Sequence, residues 1–282
     1  MTNWNRDTLA RMLRAGAAIA LKHFDSPRLD YKKDDSVVTQ ADREIEDTFA
    51  RSFDRPLEGS WLLGEETLEA RGEDYIRGAL GGTAWIVDPI DGTASYAHHF
   101  PMWAISIGFA QGGTITEGAL YLPMEGEMLV SEGGAVYHSK VPAASNEQAV
   151  LKPFSPGAVV VDEKMPIALA QRCARAGGYR GRNVLHSTAS AVFSLAHLML
   201  GHYMAYMADL KLWDVAGSLA ILKKLGYASR REDGSVLDLR ITEENYALDP
   251  SAGLGRWRTK GRPVFAVNDE AVRYVQSCFE KS

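Results

Sequence analysis

A chain of 282 residues, 46% of them hydrophobic, can bury a sizeable core as one large domain or as two domains sharing an interface. Thirty-one basic residues against thirty-six acidic ones give a net charge of −5 and no bulk attraction for nucleic acid or an anionic membrane, so an anionic substrate would need a local device that reverses the field. Two cysteines, Cys173 and Cys278, exclude a disulfide framework and a cysteine-rich zinc site, and fit a reducing cytoplasm.

Leu9, Leu13, Ala17 and Leu21 recur every four residues and predict a first helix. This N-terminal stretch is interrupted by Asp7 and by basic residues and does not read as a secretory leader; no run approaches the 18 apolar residues of a membrane span. Ser26 to Val37 is polar, aperiodic and predicted as a mobile loop. Ala41, Ile45, Phe49 and Phe53 form a second helical stripe, which Thr39 and Asp42 open as a capping box. From residue 60 the pattern turns to strands: Trp61-Leu62-Leu63, Ala84-Trp85-Ile86-Val87, Met102 to Phe109, Thr114 to Leu122, Glu127 to Val130 and Ala135 to His138. Their short connections predict antiparallel pairing.

Lys140 to Pro156 is rich in Pro, Ala, Ser and Asn and marks a candidate boundary, dividing the chain into 1–150 and 151–282. Beyond it strands and helices alternate: Ala158 to Val161 as strand, Pro166 to Ala176 as helix, Asn183 to Leu185 as strand, Thr188 to Leu200 as helix. Tyr203 to Met207 as strand, Asp214 to Leu225 as helix, and Val264 to Val267 with a final helix complete the series. That rhythm indicates an α/β half.

The most informative segment is Trp85-Ile86-Val87-Asp88-Pro89-Ile90-Asp91-Gly92-Thr93. A buried strand delivers Asp88 at its end, and Pro89 holds that residue extended. Asp91 follows after the chain turns. Gly92 lets the backbone approach a ligand closely, and Thr93 opens a short helix whose amides favour phosphate. Two carboxylates and a hydroxyl are the hard oxygen ligands that magnesium prefers. The bland reading is a turn, since Asp-Pro and Asp-Gly are common turn formers and Asp91 could be a helix cap. Gly64-Glu65-Glu66 also follows an apolar run and could be a solvated loop. Asp214 after Trp213, and Asp42 after Thr39, could each be simple caps.

Taken together, these pieces resemble the inositol monophosphatase superfamily, which includes fructose-1,6-bisphosphatases and nucleotide bisphosphate phosphatases. The strings are Lys32-x-Asp34-x-Ser36-x-Val38-Thr39-x-Ala41-Asp42, Gly64-Glu65-Glu66, Trp85 to Thr93, Ser106-Ile107-Gly108, and Trp213-Asp214-Val215-Ala216-Gly217. They stand in the family's order and span nearly the whole chain. The resemblance implies a layered α/β/α/β/α sandwich, a homodimer, and hydrolysis of a small phosphorylated metabolite. It implies two or three Mg2+ ions held by Glu65, Asp88, the Ile90 carbonyl, Asp91 and Asp214. Thr93 with Glu65 would position and activate water, Asp42 would serve a weaker metal or its waters, and the Gly92 and Thr93 amides would hold phosphate. Asp91 and Asp214 would also border the substrate, the segment around Lys32 would be a flap over the site, and lithium would inhibit.

The departures lie on the substrate side. Inositol-preferring members carry a glutamate where this chain has Met207, and a substrate-touching Gly-Ser or Gly-Thr pair is replaced by His186-Ser187-Thr188. Ser187, Thr188 and Met207 are thus candidate substrate contacts, with Tyr206 and His186 beside them and Asp209 as a replacement acceptor. His98 and His99 follow the motif closely but carry no specific signal. The expectation is weak selectivity for inositol 1-phosphate, with histidinol phosphate, a sugar bisphosphate or a 3′-phosphoadenosine nucleotide as rivals. A reading of another class is a catalytically silent binding protein, which should have lost ligands; here the four acids and Thr93 all stand.

Overall fold

A computed structural model describes residues 3–32 and 36–279. Two long helices come first, α1 (Arg6–Phe24) and α2 (Gln40–Phe53). Between them the segment predicted as a loop forms an antiparallel ribbon, β1 (Leu29–Tyr31) with β2 (Val37–Thr39). Its strands are three residues long and β1 is exposed, so no alternating apolar pattern announced them. Asp34, from the Lys32 string, lies outside the described residues.

The first sheet has seven strands in sequential order: β3 (Ser60–Gly64), β4 (Thr83–Asp91), β5 (Ala104–Gln111), β6 (Thr114–Leu122), β7 (Glu127–Glu132), β8 (Ala135–Lys140) and β9 (Lys152–Pro153). All pairings are antiparallel except β3 with β4, which is parallel. The exception arises because the polar stretch after Glu65 contains a crossover helix, α3 (Glu73–Gly81), which sequence reading did not find.

The second sheet is built from β10 (Ile167–Leu169), β11 (Leu185–His186), β12 (Ala205–Met207), β13 (Ala228–Arg230) and β14 (Val264–Ala266), in the order β11-β10-β12-β14-β13. Helices α5 (Gln171–Ala176), α6 (Ala191–Met199), α7 (Leu212–Lys224) and α8 (Asp269–Ser277) accompany it, and a five-residue helix α4 (Thr93–Ala97) follows β4. Two expectations are corrected here. Residues 158–161 have no regular structure, and the helix predicted from Pro166 begins only at Gln171, after a strand. Ile167 and Leu169 point one way and Ala168 the other, a period of two that three residues are too few to advertise.

That alternation also defines the layers. Leu62, Trp85, Val87, Ile105 and Ile107 face α1 and α2 in one core. Their neighbours Leu63, Ala84, Ile86, Ala104 and Leu120 face α6 and α7 in another, which Ala168, Tyr206 and Phe265 of the second sheet close from the far side. Ile167, Leu169, Ala205, Met207, Val264 and Ala266 face outward onto α5 and α8. The result is the α/β/α/β/α sandwich, with α6 and α7 between two sheets. Each fully buried large apolar side chain contributes about 1.5–3 kcal/mol.

Helix α7 lies unusually close to the first sheet. Gly118 on β6 meets Gly217, where a Cβ would overlap the Gly217 carbonyl, and a Cβ on Gly217 would come 2.6 Å from Ser106 Oγ. No side chain fits between helix and sheet at this point. Among the described residues no helix is long and apolar enough to cross a membrane.

Candidate metal centre

Strand β4 places two acids on one face by breaking its own register. Asp88 pairs with Ser106 and Asp91 with Ala104, so three steps on β4 match two on β5. Pro89 has no N–H to give a ladder, and the extra residue makes a bulge. In a regular strand residues three apart point to opposite faces; here both acids point where Ala104 and Ser106 point, toward α6 and α7. Gly92 then takes φ 90°, a left-handed conformation, and a Cβ there would lie 2.8 Å from Ser190 Cβ and 2.9 Å from the Met102 carbonyl.

Glu65 continues β3, its N–H bonded to the Val87 carbonyl at 3.1 Å. Asp214 sits in the first turn of α7, accepting the Lys211 N–H at 2.8 Å. Glu65, Asp88 and Asp214 each offer an oxygen within 4.8 Å of the others'. Asp91 lies beside them but turns its carboxylate to the start of α6, accepting from the Ser190 hydroxyl, from Val192 N–H at 2.6 Å and from Ala191 N–H at 3.2 Å. Lys32 reaches in from the ribbon and binds Glu65 at 2.8 Å and Glu66 at 2.7 Å. Burial works against its charge, but the two glutamates hold the ammonium above its usual range.

The decisive atom pair is on Asp88. Both carboxylate oxygens are buried, and among the described residues neither has a hydrogen-bond partner. Burial, then repulsion by Glu65, Asp91 and Asp214, pushes this acid well above the usual carboxylate range. Asp91 and Asp214 are raised for the same leading reason, burial among like charges. An unpaired buried carboxylate is costly unless a cation joins it, and an all-oxygen donor set suits a hard divalent ion. The residues therefore fit a metal.

Thr93 Oγ1 lies 3.1 Å from Asp42 Oδ1 and 2.9 Å from the Ile90 carbonyl. Asp42 also makes the predicted capping box, its Oδ2 accepting from Thr39 N–H at 2.8 Å and from the Thr39 hydroxyl at 2.5 Å. Burial raises it to about 6, against those bonds. Thr188 is buried and lines the cleft next to Asp91 and Asp214, with its hydroxyl 2.8 Å from Ser194 Oγ. Ser187 is exposed and borders a different depression with His186. Met207 is not brought to the cleft: it is buried in the outer core with Ile167 and Val264, whereas Tyr206, one residue earlier, faces the site. His98 and His99 are exposed, and the His99 ring packs edge-on against Phe24.

Two residues escaped sequence reading. Ser190 binds Asp91 and caps α6 by accepting the Phe193 N–H at 3.1 Å. Glu46 is buried one helical turn after Asp42, accepts the Glu66 N–H at 2.9 Å, and is raised by burial to about 7. A second acid one helical turn after Asp42, beside the Ala41–Ile45–Phe49 stripe, was the available signal.

The sequence matches the inositol monophosphatase family over residues 6–260. The chain belongs to that family. It is 30% identical over 237 residues to the inositol-1-monophosphatase of Bacillus subtilis, covering 80% of this chain and 85% of that one. Human inositol monophosphatase 1 is 28% identical over 242 residues, covering 82% and 84%. Among solved structures, a dual-specific IMPase/NADP phosphatase bound with D-inositol-1-phosphate superposes with a TM-score of 0.69 at 14% identity, covering 96% of this chain and 93% of that one. An IMPase from Thermotoga maritima gives 0.66 at 20%, covering 96% of both. The family hydrolyses phosphomonoesters and depends on metal, so this member is a phosphoric monoester hydrolase with an acidic cluster where a metal would sit.

Proposed function

We propose that the protein hydrolyses a small phosphomonoester with Mg2+, held by Glu65, Asp88, the Ile90 carbonyl, Asp91 and Asp214 as two or three ions. The observation that carries this reading is the buried Asp88 carboxylate, without a partner among the described residues and beside Glu65 and Asp214. When bound, Mg2+ supplies charge that attracts the ester and eases the deprotonation of water.

The chain's own groups complete the chemistry. Thr93 has one hydroxyl proton and two acceptors for it, Asp42 and the Ile90 carbonyl. With that proton engaged, its lone pairs accept from a water and orient it, with Glu65 as second acceptor. The Gly92 and Thr93 amides, at the mouth of α4, supply donors for phosphate. A relative is named Nus factor SuhB, from Xylella fastidiosa, 24% identical over 238 residues; every acid of the site stands in this chain, which supports the enzyme reading.

The test is turnover of a panel of phosphate esters by chelated enzyme and after metal return. Activity should vanish on chelation and return with Mg2+, with Ca2+ substituting poorly because it tolerates looser geometry. Lithium at tens of millimolar should inhibit. Full turnover in verified metal-free enzyme would overturn the reading.

A further inference from the structure

The cleft that holds the acids also carries basic groups. A cavity of about 300 Å³ is lined by Asp91 and Asp214 and also by Arg172, Asp209 and Arg258. Arg172 Nη1 lies 2.9 Å from Asp209 Oδ2, and Arg258 Nη1 lies 3.3 Å from Asp209 Oδ1. One carboxylate between two guanidiniums leaves a surplus of one positive charge. Arg172 comes from the first turn of α5 and keeps 64% of its side chain exposed; Arg258 follows the long excursion after β13 and is 27% exposed.

The same geometry leaves no free carboxylate at Met207 or Asp209 to grip a polyol. A site that grips sugar hydroxyls through a carboxylate needs free acceptor oxygens. Each oxygen of Asp209 already faces a guanidinium, and Met207 faces the outer core. What remains is a donor surface. Each guanidinium carries five N–H donors in a planar fork, and the contacts with Asp209 engage one nitrogen of each. Such forks recognise phosphate oxygens in pairs, and charge-assisted bonds of this kind are the strong ones.

We propose that Arg172 and Arg258 form a subsite for a second phosphoryl group, so that the preferred substrate is a small bisphosphate whose other phosphate is hydrolysed at the acidic centre. This rests on the phosphatase reading above. Asp209 bridges the two guanidiniums and keeps their mutual repulsion low while the subsite is empty.

The experiment compares kcat/KM for matched esters that differ by one phosphate: fructose 1,6-bisphosphate against fructose 1-phosphate, and adenosine 3′,5′-bisphosphate against adenosine 3′-monophosphate. The bisphosphate should be favoured at least about tenfold in one pair. Arg172→Gln and Arg258→Gln should each bring that ratio toward one. Arg172→Gln is the more exposed change and keeps the test valid if Arg258→Gln folds poorly. Calorimetric binding of the two bisphosphates in Ca2+ gives a second readout that needs no turnover, and each variant should weaken it about tenfold. A ratio near one in both pairs, or a preference and a binding affinity that survive both substitutions, would overturn the subsite. Arginine-dependent binding without hydrolysis of any ester would keep the subsite and sink the phosphatase reading instead.

Discussion

The Ser190 hydroxyl donates to the Asp91 carboxylate across 99 residues of chain, tying the end of β4 to the start of α6. The same hydroxyl accepts the Phe193 N–H, so one side chain caps a helix and orients a candidate metal ligand. Ser190→Ala should lower stability by about 1 kcal/mol for the lost cap. Freed from its donor, Asp91 should hold metal less well, raising the Mg2+ concentration for half-maximal activity about tenfold. Thermal melts beside a Mg2+ titration of turnover separate the two effects, and an unchanged titration would leave Ser190 a cap only.

The buried acids make the metal-free protein sensitive to base. Asp42 rises from 3.8 to about 6 and Glu46 from 4.5 to about 7, both through burial. An acid raised on folding binds its proton more tightly in the folded chain, so nothing is lost below its unfolded value and stability falls as pH climbs to the folded one. Between pH 4 and 7 the metal-free enzyme should lose melting temperature steadily. Mg2+ should flatten that decline, because ionised acids are the form it binds. A metal-free melting temperature that rises across this window would contradict the assignment.

Asp88→Asn separates structure from chemistry. The amide keeps the shape but removes a charge that is buried, unpaired and surrounded by Glu65, Asp91 and Asp214. Metal-free melting at pH 8 should be unchanged or higher, since one repulsive member has gone. Turnover in Mg2+ should drop at least about a hundredfold. Retained kcat would make Asp88 a structural residue.

Met207→Glu tests the position at which inositol-preferring members carry glutamate. The side chain is 4% exposed and packed among Ile167, Leu169 and Val264, where a carboxylate has no water and no partner. The substitution should destabilise the fold by several kcal/mol and leave the ratio of inositol 1-phosphate to glycerol 2-phosphate hydrolysis nearly unchanged. A gain in that ratio without a loss of melting temperature would show that the glutamate turns into the cleft.

The acids were legible because each ends an apolar run or opens a helix, and such punctuation survives in one dimension. Capping and function had looked like alternatives at Asp42 and Asp214. The structure gives each of them a cap contact, and a place beside Thr93 or Asp88 as well. Ser190 was not legible, because its meaning depends on Asp91 arriving from a distant strand. Arg172 and Arg258 likewise acquire a role only when Asp209 gathers them. Met207 was misplaced for a simpler reason: alignment fixes a position along the strand, whereas the pleat decides which face it serves, and Tyr206 took the inner one. The strands β10 and β13 were too short for a two-residue period to declare itself, and α3 hid within a polar crossover.

The contact of Gly118 with Gly217 has a consequence for ion choice. Gly217 lies three residues beyond Asp214, about 4.5 Å along the helix axis. A methyl group at either glycine is a shim in a joint that has no slack, and lifting α7 carries Asp214 away from Glu65 and Asp88. Mg2+ demands a near-ideal octahedron with bonds of about 2.0–2.1 Å, whereas Ca2+ accepts longer and less regular ones. If Mg2+ is the ion and Asp214 one of its ligands, the thickness of this helix–sheet joint sets a tolerance for ionic radius, and Gly118→Ala should shift the measured preference toward Ca2+ without touching a ligand.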